Sequence, residues 1–274
     1  MTKTAVITGG TGGMGMATAR ILGTDHRIVL ADLDQARIDA AVAELSASGI
    51  DVSGSVCDIT DRASVDRLMA VAEAGGHHVR AVVHTAGVSP QMGSAQFVAR
   101  INAIGTVNVT QAFLARAGEG DALVNVASVA GHSIPKVLVP TGAFPKAESD
   151  PAEFEKIVVR RSRVLGKKLQ SGLAYSFSKA FVIWYSRKQA AAFGARGARI
   201  VSVSPGSFDT AMGKLEADHG ASELLKFSAI KRFGKPEEVA AVLAFCASET
   251  PGYLTGTDIL VDGGTRAGQE FKKR

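Results

Sequence analysis

The sequence predicts an α/β fold: one domain built on a doubly wound parallel sheet of about seven strands, with helices on both faces. Three observations lead there. Short β-branched runs alternate with longer Ala-rich stretches of helical character, and that alternation, with short polar joints, marks parallel βαβ units. The strand segments are almost wholly apolar, as strands covered on both faces must be. No stretch rich in Pro, Ser or Gly divides the chain, and 274 residues fit a single α/β domain.

Thr4–Thr8 reads as the first strand and Gly13–Gly23 as the helix after it. Arg27–Ala31 with Leu33–Ser46 repeats the pair, as does Val52–Cys57 with Arg62–Ala74. Val79–His84 is a strand followed by one long helix, Ala95–Ala117. Ala122–Ala127 is the fifth strand. A helix through Tyr175–Phe193 leads to the strand Arg199–Val203, and Pro236–Ser248 leads to the last strand, Asp258–Val261. The crossovers between parallel strands are expected to be right-handed.

Composition narrows the class. Apolar residues are 46% and charged residues 21%, which excludes intrinsic disorder. Two cysteines, Cys57 and Cys246, are too few for a disulfide framework and fit a reducing compartment. Met1 leads directly into a short apolar strand, without a long signal-like apolar region, so the expected location is cytoplasmic. No uncharged apolar run approaches the roughly 20 residues that span a bilayer, and no membrane partner is expected. The net charge is +5, with a pI of 9.3. The excess is local: Arg160, Arg161, Arg163, Lys167 and Lys168 share one segment, and Lys272, Lys273 and Arg274 end the chain. No aromatic residues interleave them for base stacking, so no nucleic-acid partner is expected. Glycine is high, 30 residues, and clusters at the ends of apolar runs, where backbone approaches a ligand or turns tightly.

One segment breaks the alternation. Between His132 and Gly172 lie about forty residues where a short joint is expected. Pro135, Pro140, Pro145 and Pro151 make its first part irregular. Its second part reads as a helix with Asp150 as N-cap, Pro151 as first residue and Glu153 as the capping-box acid. Phe154, Ile157, Val158, Val164, Leu165 and Leu169 form its apolar stripe, and Gly172 would stop it.

The first strand ends in Thr8-Gly9-Gly10-Thr11-Gly12-Gly13-Met14-Gly15, where a helix begins. Backbone N–H groups and the helix dipole make such a turn an anion site, and glycines let a pyrophosphate come close, as in a Rossmann-type dinucleotide fold. A plain tight turn has the same composition, but its place at the first βα joint favours a nucleotide. Asp32 ends the second strand, 17 residues after Gly15. An acid there can bond the ribose hydroxyls of NAD and would repel the extra phosphate of NADP. No Arg or Lys in the glycine loop or directly after Asp32 offsets that repulsion. Asp34 suits the cap of the next helix, which leaves Asp32 for the ribose. Asp58 ends the third strand and could reach adenine, though helix capping around Asp61 competes.

Tyr175-Ser176-Phe177-Ser178-Lys179 places Tyr and Lys four apart, on one helical face. A free Tyr titrates near pH 10, so work near neutrality needs phenolate stabilisation of roughly 4 kcal/mol. One cation about 4 Å away, at an effective dielectric near 20, supplies about that much. A Lys one turn away, helped by a positive nicotinamide ring, would make the Tyr a general acid/base. By itself such a pair is more often an exposed Tyr and a solvated Lys. The glycine loop at the other end of the chain weighs against that.

Taken together, these motifs resemble the short-chain dehydrogenase/reductase family over nearly the whole chain. Its Thr-Gly-x-x-x-Gly-x-Gly pattern is met at Thr8, Gly9, Gly13 and Gly15, and its Tyr-x-x-x-Lys at Tyr175 and Lys179. The family's catalytic Ser matches Ser128 and its helix Asn matches Asn102. Its Pro-Gly turn, with a later Thr for the carboxamide, matches Pro205, Gly206 and Thr210. Tyr253-Leu254-Thr255-Gly256 and Val261-Asp262-Gly263-Gly264 are also similar to the family's C-terminal region.

The resemblance implies roles. Tyr175 exchanges a proton with the substrate oxygen, Lys179 lowers its pKa and holds the nicotinamide ribose, Ser128 bonds the substrate oxygen, and Asn102 holds a water that relays protons. It implies an NAD site at Gly9, Thr11, Gly13, Met14, Gly15, Asp32, Leu33, Asp58, Ile59, Ala86, Gly87, Tyr175, Lys179, Pro205, Gly206, Phe208 and Thr210. No metal is expected. The substrate class is a secondary alcohol or ketone, and the assembly a homodimer or homotetramer. Two other classes share the fold. A redox-sensing NAD-binding regulator would tend to lose the Tyr or Lys, which this chain keeps. An extended epimerase or dehydratase would have a different glycine spacing and a longer C-terminal region.

Two features depart from the family. Its Asn-Asn-Ala-Gly is here His84-Thr85-Ala86-Gly87, where His84 is expected to keep a structural hydrogen bond. Ser128 and Tyr175 lie 47 positions apart, and the excess is the segment 132–172. A comparable insert occurs in members similar to 3α-hydroxysteroid dehydrogenase/carbonyl reductase. One expectation is that Val137, Leu138, Val139 and Phe144 wall an apolar substrate pocket. The other is that the insert covers the Tyr-bearing helix and obstructs the family's usual helix-face dimer.

Overall fold

The computed structural model describes residues 3–166, 169–217 and 221–271. Lys167, Lys168, Lys272, Lys273 and Arg274 lie outside them, as does the side chain of Leu165. The chain runs β1 (Lys3–Thr8), α1 (Gly13–Leu22), β2 (Arg27–Asp32), α2 (Gln35–Ala47), β3 (Val52–Val56), α3 (Arg62–Glu73) and β4 (His78–His84). It continues through α4 (Ala95–Ala99), a π-type turn at Arg100–Ile104, α5 (Gly105–Leu114) and β5 (Ala122–Val126). The rest is α6 (Lys146–Ser149), α7 (Pro151–Ser162), α8 (Gln170–Gly194), β6 (Arg199–Pro205), α9 (Ala211–Ala217), α10 (Pro236–Ala247), β7 (Asp258–Val261) and α11 (Thr265–Phe271).

The seven strands form one parallel sheet in the order β3-β2-β1-β4-β5-β6-β7. The order reverses between β1 and β4, and a ligand crevice opens at such a switch point, outside the C-terminal strand ends. Alternate strand residues feed two cores. Ile7, Leu30, Val83, Val124 and Val203 pack with Leu22, Leu45 and Leu243. Val6, Val29, Val82, Leu123 and Ile200 pack on the other side with Leu68, Phe113 and Phe193.

Local caps set the helix starts. Asp34 accepts from the Arg37 N–H, Asp61 from the Ala63 N–H, and Asp150 from the Glu153 N–H. Each satisfies a donor that a helix start leaves open.

The expected single helix over Ala95–Ala117 is interrupted. The π-type turn at Arg100–Ile104 joins α4 to α5, and α5 ends at Leu114. The insert helix also ends early, at Ser162, and Gly166 turns the chain with φ of 85°. Gly172 therefore does not stop it but lies inside α8, which starts five residues before Tyr175. Val164 and Leu169, expected in the buried stripe, are 71% and 58% exposed.

The insert forms a third apolar layer. Phe144, Ala147, Phe154 and Val158 bury themselves against Ala103, Val107, Phe177, Phe181 and Tyr185. The Phe144 ring stands edge-on to Phe181, with centroids 5.4 Å apart. Phe144 is thus core, not pocket wall, and Val137 is 88% exposed. The insert covers α4, the Asn-bearing turn and the Tyr-bearing α8, and reaches α5 at Val107 and Gln111.

Candidate active site

The glycine loop fits a phosphate. α1 starts after Gly12 with no side-chain cap and no acid in its first turn, so its free N–H groups are open to an anion. Gly9 has φ of 65°, and a Cβ there would sit 2.7 Å from the Ala86 nitrogen. A Cβ at Gly15 would lie 2.6 Å from the Gly9 carbonyl oxygen. The β1 and β4 loop ends thus meet at closest approach. Thr210 closes the cradle from the far side, its Cγ2 lying 3.2 Å from where a Gly13 Cβ would be.

Asp32 ends β2 beside that loop. Thr11 Oγ1 donates to one carboxylate oxygen, and the Leu33 N–H donates to the other at 2.8 Å. Asp34 caps α2, which leaves Asp32 free of capping duty. Asp58 Oδ1 is taken by the Thr60 N–H and hydroxyl, each at 2.8 Å, and the Ile59 carbonyl accepts from Asn108 at 2.9 Å. Phe208 is buried with its ring against Gly234.

At the other end of the crevice, α8 presents Tyr175 and Lys179. Lys179 is buried, its Nζ 5.9 Å from the Tyr175 ring centroid. The ammonium donates to the Val126 carbonyl at 3.0 Å, at the end of β5. Asn102 sits in the π-type turn and is fixed on both sides of its amide. Its Oδ1 accepts from the Val88 N–H at 2.9 Å, and its Nδ2 donates to the Val88 carbonyl at 3.0 Å and to Ser178 Oγ at 3.2 Å. A Cβ at Gly87 would lie 3.1 Å from Asn102 Oδ1 and 3.4 Å from Lys179 Nζ. Gly87 therefore keeps the space between these two groups clear.

Ser128 follows β5 and caps the short turn Val129–His132, its Oγ accepting from the Ala130 N–H at 3.2 Å. That turn seats on α8, where a Cβ at Gly131 would strike the Lys179 backbone at 2.8 Å. The Pro205–Gly206 turn ends β6, and the Gly206 N–H donates to the Val261 carbonyl at 2.9 Å.

His84 keeps a structural bond of a defined kind. Burial, and then the nearby Lys179 charge, push its pKa down to about 3, so the ring is neutral. Thr106 Oγ1 donates to the Asn102 carbonyl at 2.8 Å, so at 3.2 Å it accepts from His84 Nε2–H. Nδ1 then accepts from Thr8 Oγ1 at 2.6 Å. The chain of bonds ties the end of β1 to the Asn102 turn.

Of the polar clusters that fall outside any sequence motif, two bear on the site. One joins His132, Asp258, Ser202 and Ser204. The other holds the insert: Glu148 accepts from Tyr185 Oη at 2.6 Å, Gln189 at 2.8 Å, Gln111 at 3.0 Å and Lys188. Among the described residues, no group of three or more His, Cys, Asp and Glu side chains could hold a metal ion. No helix of these residues is long and apolar enough to cross a membrane.

Comparison with known proteins agrees with this architecture. Residues 3–141 match the family model described as short chain dehydrogenase. Residues 155–266 match the model described as Enoyl-(Acyl carrier protein) reductase. A short-chain dehydrogenase/reductase of Alternaria brassicicola is 31% identical over 272 residues, 97% of each chain. Dehydrogenase/reductase SDR family member 4 of Oryctolagus cuniculus is 29% identical over 96% of this chain and 93% of its own. Among solved structures, a short-chain type dehydrogenase/reductase from Mycobacterium ulcerans aligns with a TM-score of 0.78 at 23% identity, covering 97% of this chain and 90% of its own. An actinorhodin polyketide ketoreductase with NADPH aligns at 0.76 and 20% identity, covering 96% and 97%. The chain belongs to the short-chain dehydrogenase/reductase family, oxidoreductases that use nicotinamide cofactors on small-molecule substrates.

Proposed function

We propose that this protein is an NAD-dependent oxidoreductase that moves a hydride between a secondary alcohol or its ketone and nicotinamide, with Tyr175 as general acid/base. The observation that carries the reading is the buried Lys179 ammonium, held by the Val126 carbonyl beside the Tyr175 ring. In alcohol oxidation the Ser128 hydroxyl and the Tyr175 oxygen hold the substrate oxygen. The Tyr175 phenolate takes its proton, and Lys179 stabilises the phenolate before the transfer. Asn102 keeps a polar path from Lys179 toward solvent. When bound, the cofactor would supply the hydride acceptor or donor; Gly9–Gly15 would hold its pyrophosphate, and the Pro205–Gly206 turn with Thr210 its carboxamide.

NAD, not NADP, is the proposed cofactor. Asp32, at the end of β2 beside the glycine loop, would hold the adenosine ribose, and the extra phosphate of NADP would meet a like charge there. The polyketide ketoreductase that shares the fold was solved with NADPH, so the preference rests on this one acid. A homodimer or homotetramer is proposed through a face other than that of α4 and α8, which the insert covers. Phe245, Tyr253 and Leu260, exposed near the β7 edge, offer such a face.

The test is NAD and NADP reduction over a panel of cyclic, aliphatic and steroidal alcohols, with Tyr175→Phe beside the wild type. The variant should bind NAD normally and lose turnover by orders of magnitude. Near-normal kcat in Tyr175→Phe, or a wild type that prefers NADP, overturns the corresponding assignment.

A further inference from the structure

The nicotinamide end of the crevice is framed by two turns from different strands: the one that Ser128 caps, after β5, and Pro205–Gly206, after β6. A buried polar knot links them. His132 is the last residue of the Ser128 turn. Its Nε2 lies 2.8 Å from Asp258 Oδ2 and 3.3 Å from Ser204 Oγ. A carboxylate only accepts, so Nε2 carries the proton. Asp258 Oδ1 accepts from Ser202 Oγ at 2.5 Å and from Ser204 Oγ at 3.0 Å. The serines are fully buried, and the Asp258 and His132 side chains are 9% and 27% exposed. Bonds to a charged group in such a place are the stronger kind.

Both sides of the Pro205–Gly206 turn lead back to this carboxylate. Ser204 directly precedes Pro205. Asp258 opens β7, and β7 ends at Val261, whose carbonyl takes the Gly206 N–H. Packing alone does not ask for a histidine here, because Gly131 already seats the Ser128 turn on α8.

We propose that His132 is a positioning residue. Through Asp258 and Ser204 it sets the register between the Ser128 turn and the Pro205–Gly206 turn, and so the nicotinamide end of the dinucleotide relative to the substrate oxygen. This rests on the reading that NAD binds in the glycine crevice. The adenosine end, at Gly9–Gly15 and Asp32, belongs to β1 and β2, which β4 and β5 separate from the knot. His132→Ala therefore acts first on the nicotinamide end, which meets the glycine loop where Thr210 faces Gly13.

Calorimetric titration with NADH and with ADP-ribose, which lacks the nicotinamide, reads the two halves separately. Wild type should bind NADH more tightly than ADP-ribose. His132→Ala should keep the ADP-ribose affinity within about twofold and weaken NADH about tenfold, because the nicotinamide turn loses its register. kcat on the best alcohol of the panel should fall about tenfold or more, as expected of misplaced reacting groups, with a smaller change in KM. His132→Gln, which restores an N–H near Nε2, should recover most of both losses. Failure of wild type to bind ADP-ribose would refute the dinucleotide reading and take the proposal with it. An NADH to ADP-ribose ratio that is near one in wild type, or unchanged in His132→Ala, would overturn the proposal alone. So would equal losses for both ligands with a lowered thermal midpoint, because that is structural damage.

Discussion

Lys179→Met removes a charge from the site while keeping most of the apolar stem. The wild-type ammonium lies 5.9 Å from the Tyr175 ring centroid. Taking that distance as the charge separation, at an effective dielectric near 20, the phenolate is favoured by about 3 kcal/mol. About 3 kcal/mol is roughly a hundredfold in the phenolate-to-phenol ratio, or about two pH units on the rate profile. This is about 1 kcal/mol less than work near neutrality asks of the pair, and the positive ring of oxidised nicotinamide has the sign to supply the rest. Alcohol oxidation needs the phenolate, so weaker stabilisation shifts the acid limb of kcat to higher pH. The assay is kcat against pH on a protiated alcohol and its carbinol-deuterated form, with the isotope effect showing where hydride transfer limits. The variant should regain much of its rate well above the shifted limb. The Val126 carbonyl loses a donor, which costs about 1–3 kcal/mol of stability, so the thermal midpoint is measured alongside. A uniform loss at every pH with the limb unmoved would refute the electrostatic argument and leave Lys179 as a cofactor holder only.

Three further outcomes are expected. Asp32→Ala should narrow the preference for NAD over NADP in kcat/KM by about tenfold or more, since a like-charge contact is removed. Burial pushes the Glu148 carboxyl up, but bonds from Lys188, Tyr185 and Gln189 outweigh that and hold it below the ordinary range. A depressed folded value gives stability that is fully present above the unfolded pKa of about 4.3 and is lost as pH falls from there through the lower folded value. Glu148→Gln should therefore flatten the acid side of a urea-unfolding series. An unchanged slope there would show that Glu148 does not couple to folding. Phe154→Ala, at a fully buried ring 5.4 Å from Phe181, should cost about 3–5 kcal/mol, while Val137→Ala at the exposed turn should stay within about 0.5 kcal/mol. Equal effects in thermal or chemical unfolding would mean the insert does not dock as described.

What was legible in the sequence was what short-range physics writes there. Most strands showed because burial on both faces leaves few polar positions; the exceptions are β3, a half-exposed edge with Ser53 and Ser55, and β6, whose Ser202 and Ser204 are buried. Asp34, Asp61 and Asp150 showed because a cap is a relation between residues two or three apart. The helix break at Arg100–Ile104 did not show, because its cause is tertiary: Asn102 is pulled onto Val88, and the apolar spacing runs through almost unchanged. The stripe through Val164 and Leu169 misled because periodicity reports only that a face could be buried. There α7 has already ended, and Gly166, the only residue type at ease with φ of 85°, turns the chain into an exposed corner. Glu148 with Tyr185 and His132 with Asp258 are 37 and 126 positions apart, beyond any pattern in a single sequence.

That last gap bears on how an insert between Ser128 and Tyr175, the pair proposed for catalysis, is held to the scaffold. Its two ends are bound to the scaffold, not to each other. At one end Gly131 seats on the α8 backbone and His132 grips Asp258. At the other, Ser171 Oγ donates to the Gly93 carbonyl at 3.1 Å, one helical turn before Tyr175. Between them Glu148 and Glu155 pin the middle to α8 and α4, the latter through Arg100 Nε at 2.7 Å and Gln96 at 2.9 Å. A perturbation of the insert must break these pins before it reaches the chemistry. Damage to Phe154 should therefore appear in stability well before it appears in kcat, and damage to His132 in the reverse order.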